Sequence, residues 1–283
     1  MPAAISNKFL YINKLKEASM KFKAIFRHLA IWPLLLAFIT LPAAATESDT
    51  AKEQRWASQI IDSLLDGEAV WLADPGGHEF LSILTEGDTD SGRAVILMHG
   101  IGVHPNWPDV IYPLREGLLE NGITSLSIQM PILENDAEDS DYKALFPEVP
   151  GRVQAAVDYL KKAGYAKIDI VAHSMGARMA TYYLSRENTD GVNSAVLIGF
   201  GNSSNSSWPE SIDALALLRV PVLDLYGSRD LDIVLGTVQE RASSGAKNKS
   251  GIYRQIRVEG ANHFFQGHED ELKSVVLDWL ESS

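Results

Sequence analysis

An α/β fold, with a mostly parallel central sheet and helices on both faces, is predicted by three observations. Short apolar runs recur along the chain, at Ala94–Met98, Ile168–Val171, Ala195–Phe200 and Val220–Leu225. They are continuous rather than alternating, as strands covered on both faces must be. Between them the apolar residues recur at helical spacing, so strands alternate with helices, the pattern of a parallel sheet. Finally, no repeat and no linker-like composition divides residues 46–283, which predicts one domain. About 20 residues separate the runs at 195–200 and 220–225, too few to hold a separate cap domain.

The N-terminus reads as a targeting segment. Residues 20–28 carry Lys21, Lys23 and Arg27, residues 29–41 are uncharged and apolar, and Ala43-Ala44-Ala45 offers small residues for cleavage. This is the layout of a secretory signal peptide. The apolar run is about 13 residues, short of the roughly 20 a membrane-spanning helix needs. Residues 1–19 lack pattern and would bury that signal behind a prefix, so translation is expected to begin at Met20; N-terminal sequencing of the precursor tests this. The expected product is a periplasmic or secreted protein cleaved near Ala45, with no stable membrane span. Cysteine is absent, which excludes disulfides, thiolate metal sites, a cysteine nucleophile and a lipoprotein anchor. Removing six basic residues and one acid with residues 1–45 takes the net charge from −12 to about −17. Such acidity argues against nucleic acid as a partner.

Along the mature chain, Trp56, Ile60, Ile61, Leu64 and Leu65 mark an amphipathic helix within 47–66. Residues 69–72 and 79–84 read as an antiparallel hairpin at the sheet edge, joined by Asp74-Pro75-Gly76-Gly77. The strand at 93–98 is followed by a helix at 109–121, ended by Asn121-Gly122, and by a strand at 124–130. Residues 131–150 are acidic and unperiodic; they read as a solvated loop bordering the site, since no calcium-loop glycine or ligand spacing is present. Helices are expected at 153–163, after Ser174, at 214–218, at 234–246 and at 270–280. A polar loop covers 201–211, a strand 253–258 and a turn 259–263.

The chemistry is concentrated at strand ends, where an α/β sheet places its site. After Ile168–Val171 comes Ala172-His173-Ser174-Met175-Gly176, then a helical pattern. Strand, small-x-Ser-x-small, helix is the context of a nucleophile elbow, with Gly176 fitting the tight turn and Ala172 standing where glycine is usual. After Met98 comes His99-Gly100-Ile101-Gly102, a loop able to present backbone N–H groups. After Leu225 comes Gly227-Ser228-Arg229-Asp230, and after Val258 comes His263. A serine hydroxyl needs a base, for which histidine is suited, and the histidine needs a carboxylate to hold its tautomer. Ser174, His263 and Asp230 are the expected nucleophile, base and acid, with Asp232 the competing acid and His268 the competing base. The N–H groups of Met175 and Ile101 are the expected oxyanion donors. His173, beside the serine, reads as structural. His99, His104 and His173 lie on different segments without ligand spacing, so neither a metal nor another cofactor is expected.

The Ala-His-Ser-Met-Gly elbow, the His99-Gly100 loop, Gly227-Ser-Arg-Asp230 and Ala261-Asn262-His263, in the order Ser…Asp…His, resemble the α/β-hydrolase superfamily over nearly the whole mature chain. The segment His99-Gly-Ile-Gly-Val-His-Pro-Asn-Trp-Pro-Asp109, with Pro113-Leu-Arg and residues 124–131, is similar to a family of exported proteobacterial α/β-hydrolase-fold proteins of unknown function. The resemblance implies the α/β-hydrolase fold and export, and supplies no substrate. Together these observations predict a serine hydrolase that cleaves an ester, thioester or amide of a small-molecule or lipid-like acyl substrate through an acyl-enzyme. The alternatives are a catalytically silent binding or envelope protein on the same fold and an acyltransferase using the same three residues.

Overall fold

The computed structural model describes residues 48–88, 92–186, 190–201 and 212–283. The expected signal peptide and prefix, and most of the 201–211 loop, lie outside them. Eight strands form one sheet: β1 (Glu68–Ala73), β2 (Glu79–Thr85), β3 (Arg93–Met98), β4 (Thr124–Ile128), β5 (Lys167–His173), β6 (Ser194–Ile198), β7 (Val222–Arg229) and β8 (Tyr253–Asn262). Their order is β1-β2-β4-β3-β5-β6-β7-β8. The β1–β2 and β2–β4 pairs are antiparallel, as the edge hairpin requires, and all the others are parallel.

The continuous apolar runs are explained by packing on both faces. In β3 every residue is buried. Ala94, Ile96 and Met98 face a core built with α3 (Val149–Lys162) and α4 (Met175–Leu184). Val95 and Leu97 face a second core, with Leu114 and Leu118 of α2 (Ile111–Glu120) and Leu272, Val276 and Leu280 of α7 (Glu269–Ser282). Truncating a fully buried leucine such as Leu97 to alanine would cost about 2–5 kcal/mol. The amphipathic helix α1 (Thr50–Ser63) lays Ala57 and Ile60 on Leu81 and Ile83 of β2. Among the described residues no helix is long and apolar enough to cross a membrane. None of them forms a separate cap domain.

Four local expectations are corrected. Residues 131–150 are not a wholly solvated loop: Asp139–Glu148 is a 3-10 helix, and α3 begins at Val149 rather than at 153. Tyr142, Leu145 and Phe146, at i, i+3 and i+4, are buried while Asp139, Asp141, Lys143 and Ala144 are exposed, so the acidic composition masked a short amphipathic turn. The helix expected at 234–246 is broken at Gly236-Thr237 into α5 (Asp232–Leu235) and α6 (Val238–Gly245). The strand expected at 195–200 stops at Ile198, and Gly199 turns the chain with φ +59°. The turn expected at 259–263 is the end of β8, which runs through Asn262 and delivers His263 directly.

Candidate active site

β5 lies between β3 and β6 near the middle of the sheet, and Ser174 is the single residue joining it to α4. Its backbone has φ +56° and ψ −119°, a conformation that non-glycine residues adopt only when their surroundings enforce it. The Ser174 N–H donates to Ile198 O at 2.8 Å, and its carbonyl accepts from the Arg178 N–H at 3.2 Å. Gly176 carries no side chain because a Cβ there would collide with the main chain of Met98 and His99. Ala172, opposite Met98 and Leu197, is fully buried, and the sheet accommodates its methyl group.

The strand ends bring His263 and Asp230 to this serine. His263 Nε2 lies 2.9 Å from Ser174 Oγ, and its Nδ1 lies 2.6 Å from Asp230 Oδ1. Asp230 is the residue just past the end of β7, whose register with β8 shifts between Gly227 and Arg229. Its Oδ1 accepts the Leu231 N–H at 2.8 Å and its Oδ2 the Gly227 N–H at 3.3 Å. Burial opposes its ionisation, but the hydrogen bond and charge of His263 and the two N–H donors outweigh burial, and the carboxyl is held below its ordinary value. Asp232 points elsewhere, exposed in the first turn of α5. His268 sits at the N-terminus of α7, with Glu271 the nearest carboxylate at 3.8 Å.

On the other side of Ser174, the loop after β3 is held by side chains that never reach the serine. His99 is buried, and its Nδ1–H donates to Gly100 O at 2.8 Å. Its Nε2 accepts from the Met130 N–H at 2.9 Å and the Gln129 amide at 3.0 Å. Burial lowers its pKa to about 3, so it stays neutral in this role. Gln129 O in turn accepts from Arg152, which is fully buried and paired through both terminal nitrogens with Glu53 of α1. Tyr142 Oη accepts the Leu133 N–H at 3.2 Å and also bears on the Gly102 backbone. Within the described residues, no main-chain hydrogen bond occupies the N–H of Met175 or Ile101. Both residues line the same cavity as Ser174 and His263, a space of about 400 Å³ with Leu231, Ile233 and Val234 on its apolar wall.

Gly199, Arg178 and Asp139 escaped sequence reasoning at this site. Gly199, at positive φ, lies under His263: a Cβ there would stand 2.9 Å from the imidazole Cε1 and 3.0 Å from Nδ1. A glycine directly after a buried strand was the available signal. His173, expected to be structural, lies 2.9 Å through Nε2 from the carbonyl of His263 and so fixes the backbone of the neighbouring imidazole. It is buried, which lowers its pKa to about 4 and leaves it a neutral donor. Arg178 and Asp139, both lining the cavity, had no pattern to mark them.

The family model described as "Protein of unknown function (DUF3530)" matches residues 33–150 and 134–282. No curated protein matches the sequence. Solved structures show the same fold. The chain is similar to Est1E from Butyrivibrio proteoclasticus at 16% identity and a TM-score of 0.57, over 77% of this chain and 98% of that one. It is similar to the Pyrococcus furiosus esterase Pf2001 at 17% identity and 0.61, over 79% and 95%. It is also similar to a dienelactone hydrolase from Anabaena variabilis at 20% identity and 0.60, over 77% and 97%. At these identities the likeness carries the α/β-hydrolase fold and no more.

Proposed function

This chain belongs to the DUF3530 family, and we propose that it is an exported serine hydrolase that cleaves an ester, or a thioester or amide, through an acyl-enzyme. The observation that carries the proposal is the unbroken chain from Ser174 Oγ through His263 to Asp230, with contacts of 2.9 and 2.6 Å, on a strained turn that opens into a cavity. His263 takes the proton from Oγ as the oxygen attacks the acyl carbon, and Asp230 steadies the imidazolium that forms. The oxyanion gathers at the N–H groups of Met175 and Ile101, each such donor contributing roughly 3–4 kcal/mol. Collapse of the tetrahedral intermediate breaks the bond to the leaving group, which His263 protonates. Water, deprotonated by the same imidazole, then releases the acid and restores Ser174.

The basic and apolar segments ahead of Ala45 support cleavage of a signal peptide and a periplasmic location. The acidity of the mature chain supports a small-molecule or lipid-like acyl substrate rather than nucleic acid. A labelled fluorophosphonate tests the activity. Labelling of the wild type and not of Ser174→Ala is expected; a folded wild-type protein that takes no label would leave a binding protein on this fold as the better reading. A panel of p-nitrophenyl esters of increasing chain length then sets the acyl preference, and product analysis with an added acyl acceptor separates hydrolysis from acyl transfer.

A further inference from the structure

One charged pair is set into the wall of the cavity beside Ser174. Arg178 stands four residues beyond the serine on α4 and shares the cavity with Ile101, Met175, Leu231, Ile233 and Val234. Its side chain is only 7% exposed, and its Nη1 donates to Asp139 Oδ1 at 2.6 Å. Asp139 itself is 61% exposed. A plain aliphatic ester has no use for a guanidinium in that wall, and because a buried cation left without an anion is costly, whatever displaces Asp139 must itself be anionic.

We infer that Arg178 recognises a carboxylate on the substrate, which takes the place of Asp139. The substrate class is then an ester or thioester bearing a free carboxylate a few bonds from the scissile carbonyl. The inference rests on the serine-hydrolase reading and narrows it. The exchange is favourable because Asp139 already stands largely in water and returns to it, while the incoming carboxylate takes over the charge-assisted hydrogen bond at Nη1. A local cation is also what an anionic substrate needs on a chain whose mature charge is about −17, since the overall field repels it. Ser174 and Arg178 stand four residues apart, a rise of about 6 Å along the helix, and line one cavity, so half-esters of graded length measure the spacing between carbonyl and carboxylate.

The test compares p-nitrophenyl half-esters of succinic, glutaric and adipic acids with neutral p-nitrophenyl esters of matched chain length, on the mature protein. The wild type is expected to favour a half-ester in kcat/KM. In Arg178→Gln the ratio of half-ester to neutral-ester kcat/KM should fall about 10- to 100-fold, the loss expected for one charge-assisted contact. Arg178→Lys should recover part of it, and Asp139→Asn should raise the ratio by removing the competing carboxylate. If Arg178→Gln does not fold, the Lys and Asp139 variants carry the test. A purely structural ion pair predicts instead that Asp139→Asn lowers Tm and depresses both ester classes alike, which would overturn the inference. Fluorophosphonate labelling of Ser174 with no discrimination by substrate charge would sink this inference alone, whereas no labelling would sink the hydrolase reading with it.

Discussion

The two sides of Ser174 are built on different principles. On one side, side-chain atoms make the connection: His263 meets the serine at 2.9 Å and Asp230 meets His263 at 2.6 Å, each delivered by a strand end. On the other, the proposed oxyanion donors are main-chain N–H groups of cavity-lining residues, and the side chains of His99, Gln129, Arg152, Glu53 and Tyr142 hold the neighbouring main chain in place. The first side depends on residue chemistry and is intolerant of any change of type. The second depends on position, so it should degrade by degrees. What a side chain contributes there is the immobility of a donor it never carries.

The sharpest test of this contrast removes the chemistry outright. Ser174→Ala and His263→Ala should each lower kcat on the order of 10^4- to 10^6-fold while thermal unfolding shows the fold retained. Ester turnover by His263→Ala would move the base to His268. Asp230→Asn should cost about 10^4-fold by disturbing the tautomer of His263, while the exposed Asp232→Asn leaves kcat within about twofold; equal losses in the two variants would reassign the acid. Gly199→Val, which crowds the imidazole without touching its chemistry, should cost on the order of 10^2-fold in kcat. On the positional side, Tyr142→Phe should lower kcat about tenfold or less with KM little changed, as the Gly102 segment loosens. A loss as large as that of His263→Ala would mean that the hydroxyl takes part in the reaction.

The smallest effect is on stability. His99 and His173 are buried neutral, with pKa values lowered by burial to about 3 and about 4. Below pH 6.5 the unfolded chain takes up protons on these imidazoles that the folded chain refuses until about pH 3–4. Acid therefore favours unfolding, and Tm should decline from pH 6.5 towards 4. His173→Gln should flatten that decline; an unchanged slope would show that other groups set it.

Much of this architecture was legible because it rests on local sequence. A continuous β-branched run reports a strand covered on both faces, and Ser174 follows such a run and precedes a helix within five residues of pattern. The strand-end positions of His99, Asp230 and His263 follow from the same reading. The short helix at 139–148 was hidden because it lies in an acidic stretch, residues 131–150, whose average composition outweighed a single apolar turn.

By itself, then, the sequence determined the alternation of strands and helices, the elbow at Ser174 and the set of residues offered at the strand ends, since each depends on neighbours in the chain. Only the tertiary structure decided which of them meet. Asp230 rather than Asp232 bonds to His263, 33 positions away, and the need for glycine at 199 comes from an imidazole 64 positions further along the chain. The contacts of Arg152 with Glu53 and of Arg178 with Asp139 join residues 99 and 39 positions apart. Partners that distant are brought together by the packing of helices on a sheet, and no local spacing in the chain records them.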